Sequence, residues 1–371
     1  MAPSKAATQP LLGTVLVVGG CGFLGMQLVQ TLIEDPACGK LYVLDRILRP
    51  EQIESVTYLK GSITDASRVN SVLKEVKPQV IFHTASPNVT FVTHGNTDFY
   101  ETNVKGTEIL LTAAREQGVR ALVFTSSTDA YANPPHNNIS EDYPLRDSYS
   151  PEEAYSSTKG LADSLVLAAA SPNFRTVSLR VAHLYGDGDS HAIPVALDAC
   201  AGSKPLFQLG DGKNLMEVVS TRNTIDAHVI ASKALMDPSL ADGEVNGEAF
   251  NVADGAPVEF WHFFAVIWST ARGHNVRPEM WVIPGWLIWI LIYTIEWLYF
   301  IFTLGMVRPK GLDKLERTVM EYCLYTYTYN SEKLRKRLRF KPIVDLENVL
   351  VQSVEWELRK RKQLELSKKK G

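Results

Sequence analysis

The stretch VLVVGGCGFLG, residues 15–25, constrains the fold of this chain more than any other. An apolar strand, 14–18, runs into Gly19-x-x-Gly22-x-x-Gly25. Apolar side chains then recur at Phe23, Leu24, Leu28, Leu32 and Ile33, the spacing of a helical face, which Pro36 ends. The glycines let the backbone turn sharply, approach a pyrophosphate and pack helix on strand. The helix N-terminus adds amide donors and the positive end of its dipole. Glycine turns alone are common. Here a second apolar run, 41–44, ends in an acid, Asp45, about 20 positions after Gly25, and that context predicts a dinucleotide site.

Further apolar runs at 80–83, 121–125 and 176–180 alternate with helical patterns near 97–117 and 152–170. The alternation predicts an α/β fold, a doubly wound parallel sheet of Rossmann type. From about Leu184 the pattern loosens, as expected of a smaller substrate-binding part. The expected organisation is a disordered leader at 1–12, an NAD-binding core with the catalytic residues at 13–183, and the substrate-binding part at 184–371. The last holds an apolar segment at 281–307 and a basic region at 331–371.

A net charge of −3 leaves no global attraction to nucleic acid. Cys21, Cys38, Cys200 and Cys323 are scattered, and 371 residues need no disulfide staples, so they read as reduced thiols facing the cytosol. The start, MAPSKAATQP, lacks the apolar core of a signal peptide, so the sequons at Asn88 and Asn138 are expected to stay unmodified. His83, His94, His183 and His191 lack ligand spacing, and no metal is expected. His183 falls nearest the expected substrate site.

Asp45 is expected to accept from ribose hydroxyls and to repel a 2′-phosphate, which favours NAD. Arg46 beside it leaves NADP as the alternative. In AYSSTKG, Tyr155 and Lys159 stand four apart on one helical face. Lys159 and a positive nicotinamide ring are expected to lower the phenol pKa, so that tyrosinate accepts a proton. FTSSTDAY presents Ser126, Ser127 and Thr128 at the carboxyl end of a strand, and Ser127 is the hydroxyl expected to hold the substrate oxygen. Tyr329 and Lys333 repeat the spacing, but in the basic tail, and read as the start of a solvated helix.

The glycine triplet, the Thr125–Ser127 triad of hydroxyls and Tyr155-x-x-x-Lys159 together resemble an extended short-chain dehydrogenase/reductase. FHTASP, NVKGTEILLTAA, LGDGKN, NTIDAHVIASKAL and FNVADGAPVEFWHFF are similar to its 3β-hydroxysteroid dehydrogenase branch, and within that to the decarboxylating sterol-4α-carboxylate 3-dehydrogenases. The resemblance implies Tyr155 as base, Lys159 as its partner and ribose ligand, and Ser127 as the third member. It implies cofactor contacts from Gly19, Gly22, Phe23, Leu24, Gly25, Asp45, Ser62, Ile63 and Asn103. There are departures. Gly61-Ser62 replaces the family's Gly-Asp, Arg180-Val181 its Arg-Pro, and Met216-Glu217-Val218 an aromatic run. These are expected near adenine, nicotinamide and substrate, and suggest a paralogue acting on a related steroid or triterpenoid acid.

The implied reaction is oxidation of a 3β-hydroxyl with loss of carbon dioxide from carbon 4. The implied partners are a lipophilic sterol or triterpenoid, a sterol oxygenase acting before, a 3-keto reductase acting after, and a second copy in a homodimer. Three other readings stay open: a plain 3β-hydroxysteroid dehydrogenase, a nucleotide-sugar epimerase or dehydratase, and a non-catalytic NAD-binding scaffold of a sterol-enzyme complex.

The segment 283–306 holds one charge, Glu296, and is long enough to cross a bilayer. Trp286, Trp289, Tyr293, Trp297 and Tyr299 would be hard to hide in a core. CLYTYTY, residues 323–329, resembles the family's closing segment, which must lie on the active-site side. Lys368 and Lys369 match a cytosolic dilysine retrieval signal of the endoplasmic reticulum. The segment is therefore expected to be re-entrant, broken near Pro284–Gly285 and Glu296, in the endoplasmic reticulum membrane with the active site facing the cytosol.

Overall fold

The computed structural model describes residues 11–87, 98–190, 192–201, 206–237, 239–240, 244–273, 279–303 and 317–368. Most of the expected leader, Asn88, His94, His191, the end of the apolar segment and Lys369 lie outside the described residues.

The strands are β1 (Gly13–Val18), β2 (Cys38–Asp45), β3 (Val56–Lys60), β4 (Val80–His83), β5 (Ala121–Ser127), β6 (His136–Ile139), β7 (Arg175–Val181), β8 (His183–Tyr185), β9 (Leu206–Leu209), β10 (Leu215–Met216), β11 (Val218–Ser220), β12 (Glu248–Val252), β13 (Val258–Glu259), β14 (Met280–Ile283) and β15 (Tyr327–Tyr329). The helices are α1 (Phe23–Glu34), α2 (Ala66–Val76), α3 (Thr107–Glu116), α4 (Ala154–Ala168), α5 (Ala192–Ala199), α6 (Thr221–Met236), α7 (Phe260–Ala271), α8 (Gly285–Thr303), α9 (Arg317–Leu324), α10 (Glu332–Leu338) and α11 (Leu346–Lys368).

Seven parallel strands form the main sheet, in the order β12-β7-β5-β4-β1-β2-β3. Its central strands β1, β4 and β5 read as apolar runs because both faces are covered. Val15 and Val17 point to the side of α1 and α6, and Leu16 and Val18 to the side of α2, α3 and α4. Leu28 of α1 is fully buried there, and cutting it to alanine costs roughly 2–5 kcal/mol. Asp65 starts α2 by accepting from the Arg68 amide at 3.0 Å. A smaller sheet, β13-β10-β15-β6, and the cluster of α5, α7 and α11 lie beside this core.

Several expectations need correction. The core does not end at residue 183: β12 and α6 come from beyond it and complete the main sheet. Leu12, placed in the leader, is fully buried, and its amide donates to Ala37 O at 2.8 Å. The helix expected over 97–117 holds a π-turn, Tyr100–Gly106, before α3. Tyr329 does not open a solvated helix; it is a buried residue of β15, and Lys333 is paired with Glu248 at 2.6 Å.

The apolar segment is also unbroken where it is described. α8 runs continuously through Glu296, and the carbonyl of Pro284 accepts its first amides, from Leu287 and Ile288. Proline at a helix start removes a donor that has no partner there, so Pro284 begins the helix rather than interrupting it. Ile288 and Ile292, one turn apart, bury against Met320 of α9. Much of the rest faces outward: Trp286 is 65% exposed and Phe302 81%. By length and composition α8 could cross a membrane.

Candidate active site

The main sheet reverses its winding between β1 and β4, and a crevice opens where their carboxyl ends part. The glycine turn fills one side. Gly19 has φ +85°, and a Cβ on it would stand 2.7 Å from the Ala85 backbone after β4. A Cβ on Gly25 would stand 2.2 Å from Gly19 O, so α1 can approach the turn only with glycine there.

A cavity of about 460 Å³ runs from this turn across the ends of β5 and β7 to β15 and α9. Gly19, Gly22, Phe23, Leu24, Gly25, Ser127, Tyr155 and Lys159 all line it. The expected site residues Asp45, Ser62, Ile63 and Asn103 do not. Asp45 is nevertheless tied to the turn, accepting from the Cys21 amide at 2.9 Å. Ser62 and Ile63 follow β3, alongside Asp45. Asn103 turns away from the cavity: its side-chain amide donates to Thr158 Oγ1 on α4 at 3.1 Å, and its Oδ1 is buried without a partner.

The glycine end fits a dinucleotide. Gly19, Gly22 and Gly25 present only backbone at the turn, Asp45 ends β2 beside it, and the cavity-lining hydroxyls Ser86 Oγ and Ser126 Oγ are buried without partners. Buried polar atoms usually have partners, and a polar occupant would supply them.

At the other end, α4 presents Tyr155 and Lys159 on one face. Lys159 is 3% exposed, and its ammonium donates to Thr125 O at 2.8 Å. Burial pulls it down to about 8, against the pull of Asp163. Burial pushes the Tyr155 phenol well above its usual range; Asp129 adds to this, and a hydrogen bond with Ser127 opposes it. The expectation that Lys159 lowers the phenol pKa is therefore corrected for the protein by itself. Lys159 Nζ lies 6.0 Å from the Tyr155 ring and is engaged by the strand end.

The departures sort by position. Val181 lines the cavity, whereas Arg180 is structural: it grips Asp163 of α4 at 2.9 Å and 3.2 Å and donates to Tyr131 Oη. Met216, Glu217 and Val218 are buried and do not line the cavity; burial pushes the Glu217 carboxyl up to about 7. His183 does line it and lies 3.2 Å from Tyr322 Oη. His83 is buried, contacts Thr107 at 2.9 Å, and is pulled down to about 3 by burial and Lys159.

The sequence reading missed Asp129, Arg146, Tyr322 and Tyr327, all cavity-lining. Asp129 stands two residues after Ser127 and could have been noticed. Tyr322 arrives on α9 from a distant part of the chain, with no spacing signal.

The sheet, the glycine turn and the Ser/Tyr/Lys set define an extended short-chain dehydrogenase/reductase. The chain belongs to the 3-beta hydroxysteroid dehydrogenase/isomerase family, whose model matches residues 16–284. It is 30% identical to the decarboxylating sterol-4-alpha-carboxylate 3-dehydrogenase of Saccharomyces cerevisiae, over 93% of this chain and 98% of that one. It is 31% identical to the Schizosaccharomyces pombe protein of the same description, over 93% and 97%. Among solved structures it resembles UDP-glucose 4-epimerase of Thermotoga maritima, with TM-score 0.67, 21% identity and coverage of 94% and 99%.

Proposed function

We propose that this protein oxidises the 3β-hydroxyl of a sterol or triterpenoid 4-carboxylic acid to the ketone, with NAD as acceptor, and that carbon dioxide then leaves from carbon 4. The observation that supports this most is the meeting of Ser127, Tyr155 and Lys159 with the glycine turn at one cavity. The family and the names of its relatives supply the substrate class.

Gly19, Gly22, Phe23, Leu24 and Gly25 would hold the pyrophosphate, Asp45 the adenosine ribose, and Ser62 and Ile63 the adenine side. Asn103 supports the site indirectly, by bracing α4 through Thr158. Lys159 would reach the nicotinamide ribose while keeping its bond to Thr125. When bound, the nicotinamide supplies the hydride acceptor and a positive charge that opposes the upward push on the phenol. Ser127 holds the substrate oxygen, and Tyr155 takes its proton. The new ketone accepts the electron pair released when carbon dioxide departs. Tyr131, Tyr322, Tyr327 and Tyr329 give the cavity aromatic walls suited to a flat apolar ring system, which favours a steroid over a sugar nucleotide.

The same proposal places α8 in one leaflet of the endoplasmic reticulum membrane, with the active site in the cytosol. The chain before α8 pairs as β14 with β9. The chain after it packs on α8 as α9 and joins β6 as β15. Both ends of α8 thus belong to one folded body, and a single crossing would separate them. A sterol oxygenase supplies the acid, and a 3-keto reductase consumes the product.

Detergent-solubilised protein with NAD and a 3β-hydroxy-4α-carboxy sterol should raise NADH and carbon dioxide in step. NADH without carbon dioxide would reassign it as a plain 3β-hydroxysteroid dehydrogenase. Neither product would overturn the reading.

A further inference from the structure

We infer that Asp129 is the acid that delivers a proton to carbon 4 of the substrate after carbon dioxide has left. The inference rests on the decarboxylating reading above.

The reaction creates a need for such a group. Oxidation removes a hydride from carbon 3 and a proton from its hydroxyl. The bond from carbon 4 to the carboxylate then breaks, its electron pair becomes the double bond of a carbon 3–carbon 4 enolate, and carbon dioxide leaves. Carbon 4 must gain one proton to become the ketone product. The proton Tyr155 took from the hydroxyl balances this need, so no outside acid is consumed. Tyr155 and Ser127 themselves are occupied at oxygen 3, where the enolate charge collects.

Asp129 is placed to finish the transfer. It lines the same cavity, in the 3₁₀ turn Thr128–Ala130 that follows β5. Its backbone amide donates to Ser127 Oγ at 3.1 Å, which fixes the turn. Ser127, Asp129 and Tyr155 thus line one cavity. The charged and titratable groups around Asp129 come from four elements. Arg146 stands in the segment before α4, Tyr155 on α4, Tyr322 on α9, and Tyr327 and Tyr329 on β15. Arg146 is partly neutralised by its ion pair with Glu153. Burial pushes the Asp129 carboxyl up despite Arg146, which favours a form that holds a proton to give. Of the other cavity-lining acids, Glu153 is held by Arg146, Glu152 accepts from Ser150 Oγ at 3.1 Å, and Glu321 stands on α9, away from the turn that carries Ser127.

The test follows deuterium. In heavy water with NAD and the 4α-carboxy sterol, the unaltered protein should give a ketone deuterated on one face of carbon 4. In the ketone that Asp129→Asn forms, whatever its rate, deuterium should enter both faces as solvent protonates the released enolate. One-face labelling by the folded D129N protein at the unaltered rate would overturn the inference. A second measurement needs no variant. A 3-ketosteroid held with NAD in heavy water should exchange one hydrogen at carbon 4 roughly 10²-fold faster than without protein, the lower range for a positioned acid–base group. Exchange at the protein-free rate would overturn it too. Absence of carbon dioxide from the unaltered protein would instead count against the decarboxylating reading, because the exchange experiment does not depend on it.

Discussion

The Lys159 ammonium donates to the Thr125 carbonyl at 2.8 Å, and so ties α4 to the strand end that bears Ser127. The ammonium is buried, so its charge has a stability signature. Its proton is lost near pH 8 in the folded chain but near 10.5 in the unfolded one. Between those values the unfolded chain binds the extra proton, so stability rises with pH through that window. Below it, the buried charge costs on the order of 3 kcal/mol. Lys159→Met should remove this rise. Urea denaturation of both proteins at either end of the window checks it, and equal slopes would contradict the assignment.

Tyr155→Phe removes the phenol oxygen and keeps the ring that packs edge-on against Phe99. Turnover should fall about 10²–10⁴-fold, while NAD affinity and melting temperature stay near those of the parent. Fluorescence titration with NAD separates the two effects. Retained turnover would rule out Tyr155 as the base.

Asp45→Asn keeps an acceptor for the Cys21 amide but would lose the charge-assisted bonds proposed to the ribose. Such bonds contribute about 1.5–3 kcal/mol, so the NAD dissociation constant should rise roughly 10–100-fold. NADP should lose less, because the repulsion of its phosphate disappears. Calorimetric titration with both nucleotides gives the ratio, and an unchanged preference would count against the ribose role.

Arg180→Met leaves Asp163 buried and unpaired, at a cost of about 3–5 kcal/mol. The double variant Arg180→Met with Asp163→Leu should recover much of that loss. Chemical denaturation measures both, and a mild single-variant effect would show that the pair is not holding β7 to α4.

The two sides of α8 should respond oppositely. Replacing exposed Trp286, Trp297 and Phe300 by serine should leave stability within about 0.5 kcal/mol and free the protein from membranes. Ile292→Ala, on the buried stripe, should destabilise by roughly 2 kcal/mol or more. Flotation on vesicles alongside thermal melting reads both. A surface triple variant that still floats would remove α8 from the membrane proposal.

Local rules made much of this legible. The glycine turn, Asp45 and the Tyr155–Lys159 face each depend on residues a few positions apart, so spacing sufficed. The strands buried on both faces were plain as apolar runs. β3 was not, because VTYLK lies at the sheet edge and only Val56 in it is buried. β12 and α6 were assigned to the wrong part because strand pairing across more than 60 residues leaves no periodic trace. The break expected in α8 came from reading Pro284 as a breaker, when its position at the helix start makes it an initiator. Tyr322 and the Asp129 surroundings are assembled by tertiary packing alone.

The placement of α8 between β14 and β15 also sets an order of events during synthesis. Every strand of the main sheet precedes α8, so the nucleotide-binding body can close before the apolar helix emerges. β15 follows it, and β10 and β6 pair with β15 in the smaller sheet. Were α8 threaded through a bilayer as it emerged, β15 would be stranded on the far side. The aromatic wall of the cavity would then lack Tyr327 and Tyr329. On the proposed topology, a correctly assembled site would itself be a record that the helix had not crossed.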